Sequence, residues 1–233
     1  MTTKSLADYN RAIKLDSNHT FAYFGRGVAK CALGRNQEAI ADYDRAIQLN
    51  PNDAIAYNNR GYAKYALGKN QKAIADYDRA IQLDSNFAIA YNNRGLAKSD
   101  LGKKQDAIAD YDLAIQLDFN DAIPYNNRGN AKSDLGKKQD AIADYDRAIQ
   151  LDFNDAIPYN NRGNAKSDLG KKQDAIADYD RAIQLDFNDA IPYNNRGNAK
   201  SDLGKKQDAI ADYDRAIQLD FNDAIPYNNR GNA

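Results

Sequence analysis

The chain has 233 residues, of which 42% are hydrophobic and 28% are charged, and its formal net charge is −1. A charge balance this close to zero gives no general attraction toward nucleic acid or acidic membranes, so neither is expected as a partner. The single cysteine, Cys31, cannot build a disulfide framework or a thiolate metal site and favours a reducing compartment. The start of the chain lacks a signal-peptide core, and no apolar run is long enough to span a bilayer. The expected location is cytoplasmic, for a chain that can be a fragment of a longer protein.

The chain repeats itself every 34 residues, and three consecutive units, 122–155, 156–189 and 190–223, are identical. A glycine and a tyrosine recur at fixed places along the chain. The glycine column is Gly27, Gly61, Gly95, Gly129, Gly163, Gly197 and Gly231, and the tyrosine column is Tyr9, Tyr43, Tyr77, Tyr111, Tyr145, Tyr179 and Tyr213. A fixed period of this length is typical of solenoids, in which each unit contacts its neighbours.

In chain order, we predict a half repeat, six full repeats and a partial repeat, together forming a single repeat domain over residues 1–233. The half repeat, 5–19, contains a second helix only. The full repeats are 20–53, 54–87, 88–121, 122–155, 156–189 and 190–223. The partial repeat, 224–233, contains a first helix only.

Each full repeat is predicted to contain two helices, as the fourth illustrates. The first helix, at about 123–135, follows the capping candidates Asn120 and Asp121 and ends at Gly136. The second helix, at about 139–151, has an apolar stripe with helical spacing. The stripe is Ala141, Ile142, Tyr145, Ala148 and Ile149. Two short helices cannot bury their stripes alone, so neighbouring repeats must stack, which predicts an all-α fold, an α-solenoid of antiparallel helix pairs.

These units resemble the tetratricopeptide repeat, a helix–turn–helix unit of the same length. The matching residues in the fourth unit are Tyr125, Gly129, Ala141, Tyr145 and Ala148. Arg128, Lys132 and Phe153 depart from the pattern, because they stand in place of a leucine, a tyrosine and a closing proline that only Pro51 retains. The resemblance covers essentially the whole chain and implies that the helix pairs stack into a right-handed superhelix.

Each full repeat also carries an arginine and an aspartate on the helix faces that point inward. At about 100° per residue, Arg128 lies within the buried arc of the first helix and Asp144 within that of the second. We predict that these charges pair within or between adjacent repeats and set the stacking register, because buried charges need partners. The predicted ion-pair residues are Arg128, Asp144, Arg162, Asp178, Arg196 and Asp212. The alternative is an arginine that extends unpaired to solvent, as we expect of Lys132 at the edge of the arc.

No residue pattern indicates catalysis. His19 is the only histidine, and Cys31 has no base near it in the pattern that would activate a thiolate. The recurring Asp-Phe-Asn-Asp run lacks the ligand spacing and the closing glutamate of a calcium loop. The glycines stand singly and do not form a phosphate-binding loop. We therefore expect a protein that is not an enzyme, with no cofactor and no metal.

The face of the first helix opposite its buried arc is the candidate binding surface. The resemblance implies that this face lines a concave groove for extended peptides or partner helices. It is rich in asparagine in the later repeats and apolar in the first three. The candidate partner-binding residues are Phe21, Phe24, Val28, Asn58, Tyr62, Tyr65, Asn92, Leu96, Asn126, Asn130, Asn160, Asn164, Asn194 and Asn198. The alternatives are a hydrated helix face for the asparagines and coverage of an exposed end for the apolar residues.

Two functions follow from this organisation. The first is a non-catalytic scaffold that binds a peptide or partner protein of unknown identity along the concave face. The second is a structural protein whose complementary ends, a second helix at 5–19 and a first helix at 224–233, assemble head-to-tail into a superhelical filament. Three identical repeats suit a repetitive partner or avidity in either case.

Overall fold

The computed structural model describes residues 2–233, with side chains from Ser5 onward, and every regular element in that range is an α-helix. The helices are α1 Thr2–Leu15, α2 Thr20–Ala32, α3 Asn36–Leu49, α4 Ala54–Tyr65, α5 Asn70–Leu83, α6 Ala88–Asp100, α7 Lys104–Leu117, α8 Ala122–Asp134, α9 Lys138–Leu151, α10 Ala156–Asp168, α11 Lys172–Leu185, α12 Ala190–Asp202, α13 Lys206–Leu219 and α14 Ala224–Asn232. The predicted all-α fold is confirmed.

The helices form two compact units. The first extends through Phe119 and contains α1 to α7, and the second begins at Asn120 and contains α8 to α14. Within each unit, a first helix packs against the second helix of its own repeat, and that second helix packs against the first helix of the next repeat. This nearest-neighbour packing is the defining property of a solenoid. None of the described helices is both long and apolar enough to cross a lipid bilayer.

The helix ends follow from local chemistry in the connecting turns. The Asp155 carboxylate accepts a hydrogen bond from the Ile157 backbone N–H at 2.9 Å and so caps α10, as Asp121 caps α8. Gly136 has φ 77°, a left-handed conformation that disfavours a side chain, and it ends the first helix as predicted. Both helices of the repeat begin one residue before the predicted positions, at Ala122 and Lys138.

The core of a repeat is built from small side chains and one tyrosine. Ala141, Ile142 and Tyr145 of one repeat pack with Ala165 of the next to form a buried cluster. The Tyr145 ring lies directly against Gly129, where an added Cβ would stand 2.6 Å from a ring carbon. The glycine column therefore allows the close approach of the two helices, and the tyrosine column fills the space between them.

Candidate partner-binding surface

A buried carboxylate organises each repeat. Asp178 is 4% exposed, and its two oxygens accept hydrogen bonds from Arg162 Nε at 3.0 Å and Nη2 at 2.5 Å. Lys166 Nζ adds a third contact at 2.7 Å. The same arginine and lysine contacts recur in all six full repeats. Each buried charge is thus compensated by bidentate and charge-assisted bonds.

The arginine also joins neighbouring repeats. Arg162 Nη1 lies 2.5 Å from Asp146 Oδ1 on the second helix of the preceding repeat, and its guanidinium stacks 5.5 Å from the centre of the Tyr159 ring. Burial acts to lower the pKa of Arg162, but the bonds to Asp178 and Asp146 outweigh it, and the pKa lies above its usual value. The arginine therefore bonds both within its own repeat and across the junction.

The expectation for Lys132 was wrong. Its amino group does not extend to water but lies 2.7 Å from Asp144 Oδ2, beside Arg128, whose Nη2 is 2.5 Å from Oδ1. A buried carboxylate with only one cation would keep a large desolvation penalty, and the lysine on the next turn of the same helix supplies the second.

The second unit contains the same polar cleft three times, between consecutive first helices and above the tyrosine of the core. We call these the amide clefts, since amide side chains form most of their walls. The first has a volume of about 250 Å³ and is lined by Asn130, Ser133, Asp134, Tyr145, Asn161 and Asn164. The second, of about 290 Å³, is lined by Asn164, Ser167, Asp168, Tyr179, Asn195 and Asn198. The third, of about 180 Å³, is lined by Asn198, Ser201, Asp202, Tyr213, Asn229 and Asn232.

Hydrogen bonds hold the side chains of an amide cleft in place. The Tyr179 hydroxyl donates to Asn164 Oδ1 at 2.8 Å, and burial raises the pKa of Tyr179, so the hydroxyl keeps its proton. At the rim, Lys138 Nζ lies 2.6 Å from Asp168 Oδ2 and 3.0 Å from Ser133 Oγ. Lys138 therefore bridges consecutive repeats. The cleft therefore presents fixed amides and a partly neutralised carboxylate.

The predicted asparagines separate into two groups. Asn130, Asn164 and Asn198 line the amide clefts. The other column bonds across the repeat junction: Asn126 Oδ1 accepts from Asn161 Nδ2 at 3.1 Å, and Asn160 and Asn194 repeat this contact with the following repeats. In the first unit, Asn58 is 5% exposed and accepts from Asn93, and Asn92 is buried as well. These junction asparagines tie first helices together.

Four residues that line the first amide cleft are not among the candidate partner-binding residues. Tyr145 was assigned to the core alone, although its hydroxyl reaches the cleft, and the other three are Ser133, Asp134 and Asn161. A signal for Tyr145 existed, because a buried tyrosine needs a hydrogen-bond partner for its hydroxyl whereas a phenylalanine would not. Nothing in the sequence indicated which of two adjacent asparagines faces the cleft.

The first unit replaces the cleft amides with apolar side chains. Phe24 packs against Tyr43 with ring centres 5.9 Å apart, and Tyr65 packs against the core cluster around Tyr77. Burial, followed by a hydrogen bond with Asp100, raises the pKa of Tyr65 to about 12. Phe21, Val28 and Tyr62 are exposed, whereas Leu96 is half-buried. The exposed members form the apolar part of the predicted surface.

Among the described residues, no group of three or more histidine, cysteine, aspartate or glutamate side chains is arranged to hold a metal ion. Cys31 is half-buried, and burial raises the pKa of its thiol. Its sulfur accepts a hydrogen bond from the Tyr43 hydroxyl at 3.7 Å. The thiol is therefore less reactive than a free cysteine, because the thiolate is the nucleophilic form.

Family models match most of the chain. A model described as "TPR repeat" matches residues 29–68 and 61–102, and one described as "Tetratricopeptide repeat" matches 88–121, 122–155, 156–189 and 190–223. A comparison with curated protein sequences found no significant match.

Solved structures share the fold. The chain is similar to one in the APC/C hetero-tetramer Cut9-Hcn1, at 18% identity and a TM-score of 0.87, covering 100% of this chain and 46% of that chain. It therefore spans less than half the length of that protein. It is also similar to YrrB, described as a TPR protein with an unusual peptide-binding site, at 22% identity and a TM-score of 0.62, covering 81% and 97%. MamA matches at 26% identity and a TM-score of 0.62, covering 68% and 93%.

Proposed function

Because the chain belongs to the tetratricopeptide repeat family, whose members generally mediate protein–protein interactions, we propose that it is a non-catalytic scaffold that holds an extended peptide or a partner protein. The bound segment lies along the face of the first helices that carries the amide clefts. The observation that carries this proposal is the threefold recurrence of one cleft with the same side chains.

The chemistry of the amide clefts suits a peptide backbone. A carboxamide offers both donors and acceptors, so it can bond a peptide group without requiring a particular side chain. Hydrogen bonds from Tyr179 to Asn164 and from Lys138 to Ser133 hold cleft side chains in place, which lowers the entropy lost when a ligand is bound. Identical clefts at a fixed spacing strengthen the binding of any segment that contacts several of them at once.

Side-chain specificity is proposed to come from the first unit. Tyr62 on α4 is 52% exposed, and Val28, at the equivalent position of α2, is exposed as well. The identical repeats have asparagine at this position. Tyrosines that become buried on binding are among the residues that provide most of the binding energy in many interfaces. A partner with an apolar segment followed by a polar, extended segment would match both kinds of surface.

The first experiment selects peptides from a displayed random library on the full chain and measures their affinity by isothermal titration calorimetry. The decisive variant replaces Asn130, Asn164 and Asn198 together with leucine, the residue type that Leu96 provides at the same column. We expect affinity to fall by about tenfold or more, because a polar backbone group placed against leucine loses its partner. The matched control replaces the exposed Gln150, Gln184 and Gln218 of the second helices with leucine.

An affinity that is equal in the two triple variants would place the bound peptide elsewhere and contradict the proposal. Circular dichroism and the denaturant midpoint must first show that both variants stay folded. Substitution of Tyr62 and Tyr65 with serine separates the two interpretations of the apolar residues. Lower affinity with an unchanged midpoint supports a binding role, whereas a lower midpoint with unchanged affinity supports coverage of the core.

We propose head-to-tail assembly of several copies into a superhelical filament as a second candidate function. Light scattering across a wide concentration range tests the idea. A mass that stays at that of one chain contradicts it.

A further inference from the structure

Exposed apolar side chains recur in the turns of the second unit that follow second helices. Phe153, in the turn between α9 and α10, is 62% exposed, and Ile157, in the first turn of α10, is 58% exposed. The same pair is exposed after α11 and after α13. We call these residues the apolar edge: Phe153, Ile157, Phe187, Ile191, Phe221 and Ile225. Phe153 and Phe187 each lie between two complete repeats, so the stacking of repeats does not cover them.

The phenylalanine is not needed to form its turn. Pro51 and Ser85 stand at the equivalent positions of the first two full repeats. The residue before this position ends the second helix with nearly the same backbone angles in each case. The angles are φ −135° and ψ 91° at Asn50, φ −139° and ψ 99° at Asp84, and φ −137° and ψ 94° at Asp152. The fold therefore forms this turn with proline, serine or phenylalanine, and the exposed ring is left for another role.

The apolar edge is large enough to contribute to an interface. A phenylalanine can bury roughly 150–250 Å², so Phe153 and Phe187 each retain roughly 90–160 Å² that a partner can cover. Ile157 and Ile191 add apolar area beside the same two turns. Exposed apolar surface of this extent, rimmed by polar residues, marks interaction sites on proteins.

The charges next to the apolar edge are negative. Residues 148–161 contain two aspartates and no lysine or arginine. The Asp155 carboxylate caps α10, whereas Asp152 is exposed and accepts a hydrogen bond from the Asn154 backbone N–H at 3.0 Å. No lysine or arginine of the described part of the chain forms an ion pair with Asp152. A partner at this edge therefore gains from positive charge, whereas two apolar edges facing each other would bring like charges together.

The repeats themselves show which cation suits an aromatic ring beside a carboxylate. Arg162 stacks 5.5 Å from the centre of the Tyr159 ring while it bonds Asp178. The same contact between an arginine and a tyrosine recurs in all six full repeats. Arginine can make both contacts at once, because its planar guanidinium stacks on a ring and offers several donors to a carboxylate. At the apolar edge, Phe153 and Asp152 provide an exposed ring and an exposed carboxylate on adjacent residues.

We propose that the apolar edge binds a segment of a partner protein in which arginines are interspersed with apolar residues. The apolar side chains of that segment pack against Phe153, Ile157 and their equivalents, and its arginines bond the exposed aspartates, which are Asp152, Asp186 and Asp220. Because the turn recurs, a segment that contacts several repeats binds more tightly. The apolar edge is separate from the amide clefts, so this proposal does not rest on the scaffold proposal.

The test uses three blocked synthetic peptides and the full chain. The first probe repeats Arg-Leu-Ser four times, the second has lysine in place of arginine, and the third has serine in place of leucine. Fluorescence anisotropy measures binding at several salt concentrations. We expect the first probe to bind about threefold more tightly than the second and at least about tenfold more tightly than the third. Its affinity should fall as salt is added.

A triple variant of the phenylalanines locates the site. Phe153, Phe187 and Phe221 are replaced together with serine, the residue type that Ser85 provides at the same position, so the turn is kept. We expect the affinity of the first probe to fall by at least about tenfold. The matched control replaces the exposed leucines of the turns between first and second helices with serine and should leave the affinity unchanged. These leucines are Leu135, Leu169 and Leu203.

A second triple variant tests the charge. Asp152, Asp186 and Asp220 are replaced together with asparagine, the residue type of Asn50 at the same position. We expect the affinity to fall by about tenfold and to depend less on salt. The control replaces three exposed aspartates at the start of second helices with asparagine and should have no such effect. The control residues are Asp140, Asp174 and Asp208. Circular dichroism confirms that each variant stays folded.

Several outcomes would overturn the proposal. Equal affinity of the first and third probes shows that charge alone attracts the peptide. Equal effects of the phenylalanine and leucine variants show that the probe binds elsewhere. The triple leucine variant of the amide clefts must bind the first probe normally, since a loss there would place the probe in the clefts. A chain mass that rises with concentration, but not in the phenylalanine variant, identifies the occupant as a second copy.

Discussion

At the scale of single residues, the molecule depends on a charge that is buried with two partners. Removing the Asp178 carboxylate would leave Arg162 and Lys166 without their shared anion, while the pair as a whole adds little over an apolar substitute. Losing one partner thus costs much more than the complete group contributes, so the group specifies the structure more than it stabilises it. Only a stacking that brings each aspartate under its own arginine and lysine avoids the cost of an unpaired charge.

We expect Asp178→Asn to lower the free energy of unfolding by roughly 3–5 kcal/mol, because two cations lose their carboxylate in a buried place. Urea denaturation followed by circular dichroism measures the change. The matched control is Asp146→Asn, which removes the other partner of Arg162. The Asp146 side chain is 48% exposed, so that loss should stay below about 1 kcal/mol.

The prediction is contradicted if the two substitutions cost the same. A double-mutant cycle on Arg162 and Asp178 then isolates the pair. A coupling energy near zero would count against any role of this pair in fixing how the two helices of the repeat pack together.

Glycines at the equivalent position of different repeats differ in whether a tyrosine ring packs against them. An alanine Cβ at Gly163 would stand 2.6 Å from the Tyr179 ring, so Gly163→Ala should lower the free energy of unfolding by about 1–3 kcal/mol. Gly231→Ala meets no atom within 4 Å and should be neutral or stabilising by up to about 1 kcal/mol, since alanine favours a helix. Thermal or urea unfolding of the two variants gives the comparison. Equal destabilisation would refute the packing explanation.

At the scale of the helices, the turns specify where each element starts. The carboxylate of Asp155 accepts the hydrogen bond of the Ile157 backbone N–H, for which α10 itself offers no acceptor. Second helices such as α11 begin without a side-chain cap, because the side chain of the N-cap residue Lys171 makes no capping bond. The first helices α4, α8, α10, α12 and α14 have an aspartate cap, whereas α2, α6 and the second helices depend on packing alone.

We expect Asp155→Ala to lower the free energy of unfolding by about 1 kcal/mol, the usual cost of a lost N-cap. Asp155→Asn is the control, because asparagine caps about as well as aspartate. Urea denaturation distinguishes the two substitutions. If asparagine costs as much as alanine, the negative charge rather than the cap would be responsible.

The helix positions were predicted to within one residue in the fourth repeat, because Asp121 and Gly136 determine the start and the end of the first helix through local interactions. A cap bond spans two residues, and a left-handed glycine is a property of its own backbone. Such signals need no knowledge of the rest of the fold. The direction taken by Lys132 is different, since it depends on an aspartate that only tertiary packing brings within reach.

At the scale of the whole molecule, the buried tyrosines make stability depend on alkaline pH. Burial raises the pKa of Tyr145 and Tyr179 above the ordinary value near 10. An unfolded tyrosine ionises near pH 10, while the folded one keeps its proton, so the unfolded state binds fewer protons at high pH. The stabilisation is complete below about pH 10 and is lost as the pH rises toward the folded value.

We expect the free energy of unfolding to fall by about 1.4 kcal/mol per pH unit for each such tyrosine above pH 10. Urea midpoints at pH 9, 10 and 11 measure the slope. Lysine deprotonation also contributes in this range, and Tyr179→Phe isolates the tyrosine, because this variant should show a slope smaller by one group. An unchanged slope would contradict the assignment.

Repetition limits how the proposed scaffold would distinguish partners. Three amide clefts with the same residues cannot read three different side chains, so under that proposal they would add affinity without adding sequence specificity. Selectivity would then come from the exposed apolar side chains of the first unit. The organisation of all repeats as a single domain stays a prediction, and so does the choice between scaffold and assembly.

The sequence by itself determined the period, the two helices of each repeat and the family. These follow from spacing along the chain: alanine, glycine and tyrosine recur every 34 residues, and apolar stripes recur with helical spacing. The sequence also identified Arg128 and Asp144 as charges on inward helix faces, because the number of residues per helical turn predicts the direction in which each side chain points. The structure brings these two side chains together.

Only the tertiary structure decided which polar groups meet across a junction. Asn126 and Asn130 lie on the same face of one helix, yet the first bonds Asn161 and the second accepts from Tyr145 in an amide cleft. The two asparagines differ because their partners lie 35 and 15 residues away along the chain. The distance to these partners depends on how closely the glycines allow the helices to pack. The spacing of residues within a helix predicts the direction in which a side chain points. Only the contact between helices determines which residue that side chain bonds.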